Sequence, residues 1–453
     1  MKKYILLLAL FVNGFTEAAV DPLKNVKRLK WENLEVVYLK DDRFPVYNIS
    51  IYFADGALKD GPVKGIADAT LSFLSLGTKR YPRKKLVEHL EFYGVGYSSQ
   101  VTHEYSVFDI TGLDKDLYPT LKKVCHLFKK ADFPVQEVNK ERKRILDSLK
   151  NIISNPSGLA SRVFREESLS GSPYSYPVGG KIKDIKKWKR EHFIKHLSYL
   201  NNNVKKRIYI TGPESVLRAQ KIINQDCGWT GKGQYQRVET YKMSKSKNLP
   251  RITLVPIPGN QAQVRLGRFL TQDMVKDPDI VHLTSKFLGG GFTSQLMQML
   301  RVKSGLTYGV YAFAGGQKQY GRSGISTSTK KESLPELLKK TQEVIKKVIA
   351  GEINPQHLQQ TKGLVAGSYL FGFESSTAFI SGLSYLDHVG RPYKSLMEFP
   401  ERVYNYSIKN ISSMSKTLFD WESMNIVIVG PKSLKRELSK FGKVDVKNYK
   451  EFL

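Results

Sequence analysis

Arg301 and Tyr308 stand seven residues apart in Leu300-Arg301-Val302-Lys303-Ser304-Gly305-Leu306-Thr307-Tyr308-Gly309-Val310-Tyr311. They are the pair in this chain best suited to work on a peptide. A guanidinium offers several donors in fixed geometry to neighbouring carbonyls. A preorganised phenol O–H can donate to the oxygen on which charge develops when a carbonyl is attacked. The small turn Ser304-Gly305 would let a helix and a strand present both groups to one cavity. Out of context, the same two residues read as a solvated helix arginine and a packed strand tyrosine. His192 and His196 are four apart and share a face if residues 187–200 are helical. No H-E-x-x-H accompanies them, so they read as structural or surface histidines. The other histidines, among them His103, His282 and His388, are scattered without ligand spacing. Gly289-Gly290-Gly291 fails as a phosphate cradle, because no Gly-Lys-Ser/Thr follows and no Rossmann unit opens there.

The elements that must position these groups belong to an internal repeat. Leu121-Lys122-Lys123 returns as Leu338-Lys339-Lys340, 217 residues on. Gly171-Ser172-Pro173-Tyr174 returns as Gly390-Arg391-Pro392-Tyr393, 219 on, and Ile208 to Pro213 as Ile426 to Pro431, 218 on. Three matches in order at nearly one spacing predict two related units. In the first, 34–39 and 47–53 have the β-branched and aromatic content of strands, and 133–153 reads as a helix. In the second, 251–255 and 263–269 read as strands, and 334–349 as a helix entered through Pro335. A polar tract from Gly231 to Pro250 lacks periodicity, as a linker does. The expected organisation is a segment 1–19, a domain 20–232, a linker 233–250 and a domain 251–453, the two domains being tandem α+β units.

Residues 1–19 have the pattern of a secretory signal. Lys2 and Lys3 precede an apolar run from Tyr4 to Val12, and small residues follow at Ala18 and Ala19. The run is too short to cross a bilayer, and no later stretch is long and apolar enough. A retained anchor is the competing reading. Of the 453 residues 41% are hydrophobic, enough for real cores, so the chain is not a disordered one. The formal charge of +30 favours anionic partners, although the lysines read as spread along the chain without a dense arm. Cys125 and Cys227 could pair in an oxidising compartment. Two buried small apolar side chains are the plainer reading.

One segment carries the outline of a metal helix without its donors: Gly65-Ile66-Ala67-Asp68-Ala69-Thr70-Leu71-Ser72-Phe73, ending in Leu76-Gly77-Thr78. It resembles the signature of the insulinase, or pitrilysin, family of zinc peptidases, which places H-x-x-E-H between a Gly-x-Ala lead-in and a Gly-Thr exit. The resemblance puts Asp68 and Ser72 at the histidine positions and Leu71 at the glutamate position. The family's further glutamate ligand falls on Ser148 by its spacing from Glu141, or on Asp147 with a slip of one. A catalytic zinc needs about three protein ligands and a water, and a glutamate as general base on that water. His89 to Gly94, leading into Ser98 to Thr102, resembles the family's passage from helix to strand.

In the second unit, Phe287 to Leu296 and Leu300 to Tyr311 match the family more specifically. There an arginine and a tyrosine reach from the second domain to the zinc centre of the first, here Arg301 and Tyr308. Gly289, Gly290 and Gly291 resemble the glycine-rich loop of the non-catalytic subunit of mitochondrial processing peptidase, and equally a plain turn between helices. The resemblance implies half of a clam-shell chamber, and a non-catalytic subunit of an exported heterodimeric zinc metallopeptidase. This chain would bind no metal. Zinc would sit in an H-x-x-E-H partner, peptides would be the substrate, and the periplasm of a Gram-negative bacterium the location, with no nucleic acid involved. The alternative is a non-enzymatic envelope scaffold or anionic-ligand binder that keeps the fold, as core subunits of the respiratory cytochrome complex do.

Overall fold

The runs of β-branched and aromatic residues form two six-stranded sheets. The computed structural model describes residues 22–229, 233 and 251–453. The expected signal segment, and all of the expected linker but Gly233, lie outside the described residues. The first sheet is built from β1 (Val26–Trp31), β2 (Leu34–Lys40), β3 (Val46–Phe53), β4 (Gly96–Val101), β5 (Ser106–Leu113) and β6 (Lys206–Gly212), in the order β1-β2-β6-β3-β5-β4. The second uses β7 (Arg251–Pro256), β8 (Gln261–Leu270), β9 (Val310–Gly316), β10 (Gly321–Lys330), β11 (Asn425–Gly430) and β12 (Val444–Val446), in the order β12-β7-β11-β8-β10-β9. Five positions correspond one to one. In each sheet the strand that closes the unit runs parallel to the strand that opens it, β6 to β2 and β11 to β7. The sixth position differs: β1 is an antiparallel hairpin partner of β2, whereas β12 lies parallel to β7. The molecule is therefore two α+β domains of one design.

Both faces of each sheet are covered, by two different sources. On β2, Val36 and Tyr38 point into a core with Leu121, Phe128 and Phe193 from the same domain. The alternate residues Val37 and Leu39, with Tyr52 and Tyr209, pack instead against Phe379, Ile380, Leu383 and Leu386 of the helix Ser376–Val389. That helix belongs to the second copy. Its counterpart in the first copy, Pro156–Ser168, places Leu159, Ala160, Val163 and Phe164 on Val255, Val427 and Val429 of the second sheet. The period-2 alternation of a strand sorts its side chains between these two cores. Each such side chain, once buried, contributes roughly 1.5–3 kcal/mol. Polar ties close the exchange. His388 lies 3.0 Å from Glu104 and 2.8 Å from Tyr52 Oη, and Asp387 accepts from Arg28 and Tyr209 at 2.8 Å each.

The expected helix 133–153 is shorter, Val135–Lys150. Phe133 has φ 46° and Pro134 is extended, so the chain cannot enter the helix before Val135. At the far end it tightens into a turn at Ile152–Ser154. Leu334–Ile349 is helical over the expected span. The reading of the cysteines as unpaired is corrected. Cys125 and Cys227 are bonded, with Cα atoms 4.2 Å apart, and tie the helix Leu117–Lys130 to the helical turn Ile223–Cys227. No helix among the described residues is long and apolar enough to cross a membrane.

Candidate functional site

The helix Ile66–Ser72 keeps its frame by packing. Gly65 precedes it at φ 85°, and a Cβ there would lie 2.6 Å from the Gly179 carbonyl oxygen and 2.7 Å from the Trp188 ring. The first turn's N–H groups need acceptors, and Asp60 provides them, taking hydrogen bonds from Gly65 N at 2.6 Å and Ala67 N at 2.7 Å. Burial pushes the Asp60 carboxyl up to about 6, against these bonds. Gly77, at the exit, has φ 91°, and its Cβ would meet the Tyr81 carbonyl oxygen at 2.4 Å. The family-like flanks are thus explained by sterics and capping alone.

The positions between those flanks hold little that could grip a cation. Leu71 is 1% exposed and part of the core. Asp68 is half-buried, and desolvation raises its carboxyl above the usual range. Ser72 Oγ donates to the Asp68 carbonyl at 2.8 Å. Ser148 is exposed on the helix Val135–Lys150, Asp147 pairs with Lys150 at 3.4 Å, and Glu141 is engaged by Arg83 at 2.9 Å and Arg144 at 2.7 Å. One carboxylate and one hydroxyl on this helix do not fit a zinc ion. Among the described residues no three His, Cys, Asp or Glu side chains converge as a metal site requires. His192 accepts from Lys189 N at 3.2 Å, at the start of the helix Arg190–Asn202. His196 is buried 3.7 Å from Asp55, and desolvation brings its imidazole down to about 4.

The second copy presents a different surface. Asp277 caps the helix Pro278–Gly289 through Asp279 N at 3.1 Å. Gly289 and Gly290 are required by close packing: their Cβ atoms would meet Ala312 N at 2.6 Å and Lys286 Cα at 2.5 Å. Gly291 is open, with only Leu364 within 4 Å of such an atom, at 3.9 Å. The first two serve the turn, and the third has room beside it while its carbonyl accepts from Ser294 N at 3.1 Å and Ser294 Oγ at 2.6 Å. The helix Gln295–Met297 then widens into a π-helical turn, Gln298–Lys303, which carries Arg301. Such turns often mark functional positions. Gly305, at φ 58°, ends it by donating to the Arg301 carbonyl at 3.0 Å.

Tyr308 is not packed in a strand. It sits in the loop before β9 and is 90% exposed. The loop itself is fixed: Thr307 Oγ1 lies 2.9 Å from Gly309 O, Thr327 Oγ1 2.8 Å from the same oxygen, and Thr329 Oγ1 2.6 Å from Leu306 O. Arg301 is half-buried and lies over the Phe292 ring, its guanidinium carbon 4.7 Å from the centroid. Among the described residues neither the Arg301 nor the Tyr308 side chain makes a hydrogen bond or ion pair, with each other or with a third group. They are displayed separately rather than joined. Reasoning from residue types missed Phe292 and the three threonines. Phe292 had a signal, an aromatic directly after the glycines, whereas the threonines gain meaning only through the register of β10.

Comparison with known proteins decides the family. Residues 35–178 match the model described as insulinase (peptidase family M16), and residues 199–364 match the one described as peptidase M16 inactive domain. The chain belongs to the M16 insulinase family. It is 22% identical over 443 residues to the non-peptidase homolog YmxG of Helicobacter pylori, covering 95% of this chain and 99% of that protein. It is 19% identical over 390 residues to the uncharacterized zinc protease YmxG of Bacillus subtilis, covering 84% and 92%. A crystal structure of a peptidase M16 inactive domain from Pseudomonas fluorescens superimposes with a TM-score of 0.78 at 22% identity, covering 90% of this chain and 98% of that one. A protease from Helicobacter pylori does so with 0.76 at 17%, covering 90% and 99%. This M16 chain is an inactive member of the family.

Proposed function

We propose that this M16 chain is the non-catalytic subunit of an exported, two-subunit zinc peptidase. It holds no zinc itself and cuts no peptide alone. A partner of the same family bearing H-x-x-E-H houses the metal and closes a clam-shell chamber with it. The observation that carries this reading is Tyr308, an aromatic side chain left 90% exposed on a loop that three threonines hold in place. A scaffold has no use for a fixed loop that holds a partnerless phenol in solvent. The non-enzymatic envelope protein is the weaker reading for that reason.

Zinc chemistry belongs to the partner, whose centre activates water. In this chain Arg301 holds substrate carbonyls, and Tyr308 donates its phenol hydrogen to the carbonyl oxygen as negative charge grows there. The free edge of β9, which begins two residues after Tyr308, is suited to an extended peptide adding as a further strand. Export is supported by the bonded Cys125 and Cys227, since disulfides persist in oxidising compartments such as the periplasm.

The experiment is reconstitution. The H-x-x-E-H chain from the same genome is purified, and each chain is assayed for zinc content and peptide cleavage, alone and mixed. Zinc should follow the partner, and cleavage should need both. Tyr308→Phe should lower kcat of the mixture about 100- to 1,000-fold without weakening assembly. Stoichiometric zinc in this chain, cleavage by it alone, or full activity of a Tyr308→Phe/Arg301→Ala mixture would each overturn the proposal.

A further inference from the structure

The fold gathers charge that the sequence spreads. Five of the seven residues from 79 to 85 are basic, and they lead into the helix Arg83–Phe92. That segment lies against the helix Leu117–Lys130, which brings Lys122, Lys123, Lys129 and Lys130. Tyr81 is the hub. Lys123 Nζ lies 3.3 Å above its ring centroid, the Arg80 guanidinium carbon 5.4 Å from it, and the His126 ring meets it edge-on at 5.0 Å. His126 is held below its usual range by burial and then by Arg80, Lys123 and Lys130, so all three cations bear on one imidazole. Beside them Lys122 Nζ is 3.3 Å from Tyr118 Oη.

Little offsets this charge. Arg83 is paired with Glu137 and Glu141, and Lys84 with Glu88. Asp226 acts on Lys122 from a distance, and Glu91 is exposed on the Lys84–Glu88 side of the short helix by spacing. Among the described residues Arg80, Lys85, Lys123 and Lys130 have no carboxylate partner. The cations are bordered by aromatic rings. Lys85, His89 and Phe92 share one face of their helix by spacing. Phe92 is 81% exposed, its ring 4.9 Å from that of Tyr93, which in turn lies 4.9 Å from His89. Tyr118 is also exposed.

Uncompensated cations next to a protruding phenyl group match one kind of partner well. Lipid phosphates accept from lysine and arginine while an aromatic ring enters the boundary between headgroups and acyl chains. A ring that stands out from the surface, as Phe92 does, suits a deformable bilayer better than the flat charge ladder of a nucleic acid. The chain's +30 charge adds long-range attraction to any anionic membrane.

We propose that this face docks the protein on an anionic bilayer, with Arg80, Lys122, Lys123 and Lys130 against lipid phosphates and Phe92 at the acyl boundary. The proposal is independent of the peptidase reading and shares no residue with it. The test is sedimentation of the full chain with vesicles of phosphatidylcholine alone or mixed with phosphatidylglycerol. Binding should require phosphatidylglycerol and weaken as salt rises. Replacing the four cations by Gln should lower affinity about 100-fold or more. A matched variant in the second domain, Lys339→Gln with Lys346→Gln, Lys347→Gln and Lys416→Gln, should stay within a few-fold of wild type. Phe92→Ser should weaken binding several-fold with the salt dependence unchanged. Thermal unfolding of each variant checks that it is folded. The proposal is overturned by equal loss in both quadruple variants or by equal binding to the two vesicle types.

Discussion

The helix Ile66–Ser72 and the segment from Phe292 to Gly309 both look like their family, for opposite physical reasons. Around the helix, the matching residues are glycines and an alanine that neighbours press on, and the non-matching ones are Asp68, Leu71 and Ser72. Gly65 and Gly77 are retained because a side chain there would collide with backbone. In the second segment the matching side chains touch little. Tyr308 projects into solvent, and the Arg301 guanidinium lies over the Phe292 ring without an ion-pair partner among the described residues. Packing accounts for the first region, whereas the second presents side chains that packing does not explain and that the proposed function would use. A family match is therefore two kinds of information, and exposure separates them.

The widest contrast is expected in turnover. Tyr308→Phe should remove most of the reconstituted activity described above, whereas Asp68→Ala and Ser72→Ala should leave it intact. Equal sensitivity at both places would erase the distinction. Next in size is Gly65→Val, which forces a β-branched residue into left-handed backbone against Gly179 and Trp188 and should cost about 3 kcal/mol. Urea denaturation measures it, and a change below about 1 kcal/mol would mean the frame is looser than its contacts imply.

A smaller effect sharpens the contrast through pH. Asp55 is buried beside His196, on the helix that packs against Ile66–Ser72, and desolvation with help from Asp60 pushes its carboxyl up to about 7. Folded Asp55 keeps its proton to a higher pH than the unfolded chain does, where the value is roughly 4. Its contribution to stability is complete below that lower value and is lost as pH rises through about 7. The stability of wild type relative to Asp55→Asn should therefore fall between those two pH values, as read from denaturation midpoints across the range. A flat difference curve would show that Asp55 titrates normally. Least of all, Phe292→Ala should raise KM of the reconstituted enzyme about 2- to 5-fold with kcat and stability kept, because one cation–π contact is lost. Phe292→Tyr should restore it, and a loss of kcat instead would place Phe292 in the chemistry.

Much of the architecture was legible in the residues. Strand content at Leu34 to Leu39 and the return of Ile208 to Pro213 at Ile426 to Pro431 gave the two domains, since alternation and repetition are local properties of a sequence. Pairwise geometry was not legible. Phe133 hides a positive φ, the cysteines sit 102 residues apart, and the basic face joins Arg80 to Lys123 and Lys130 across intervening strands. For the site, residue types singled out Arg301 and Tyr308 but showed neither the exposure of Tyr308 nor the Phe292 ring beneath the guanidinium.

The traded helices have an implication for descent. One copy of the repeat made alone would own a helix with no sheet to lie on and a sheet face awaiting a helix it lacks. Two such copies satisfy one another by mutual donation, as swapped homodimers do. Joining them in a single polypeptide replaces a concentration-dependent encounter by a tethered one. It also releases the halves from having to mutate in step, so that the surface of one can change without the same change in the other.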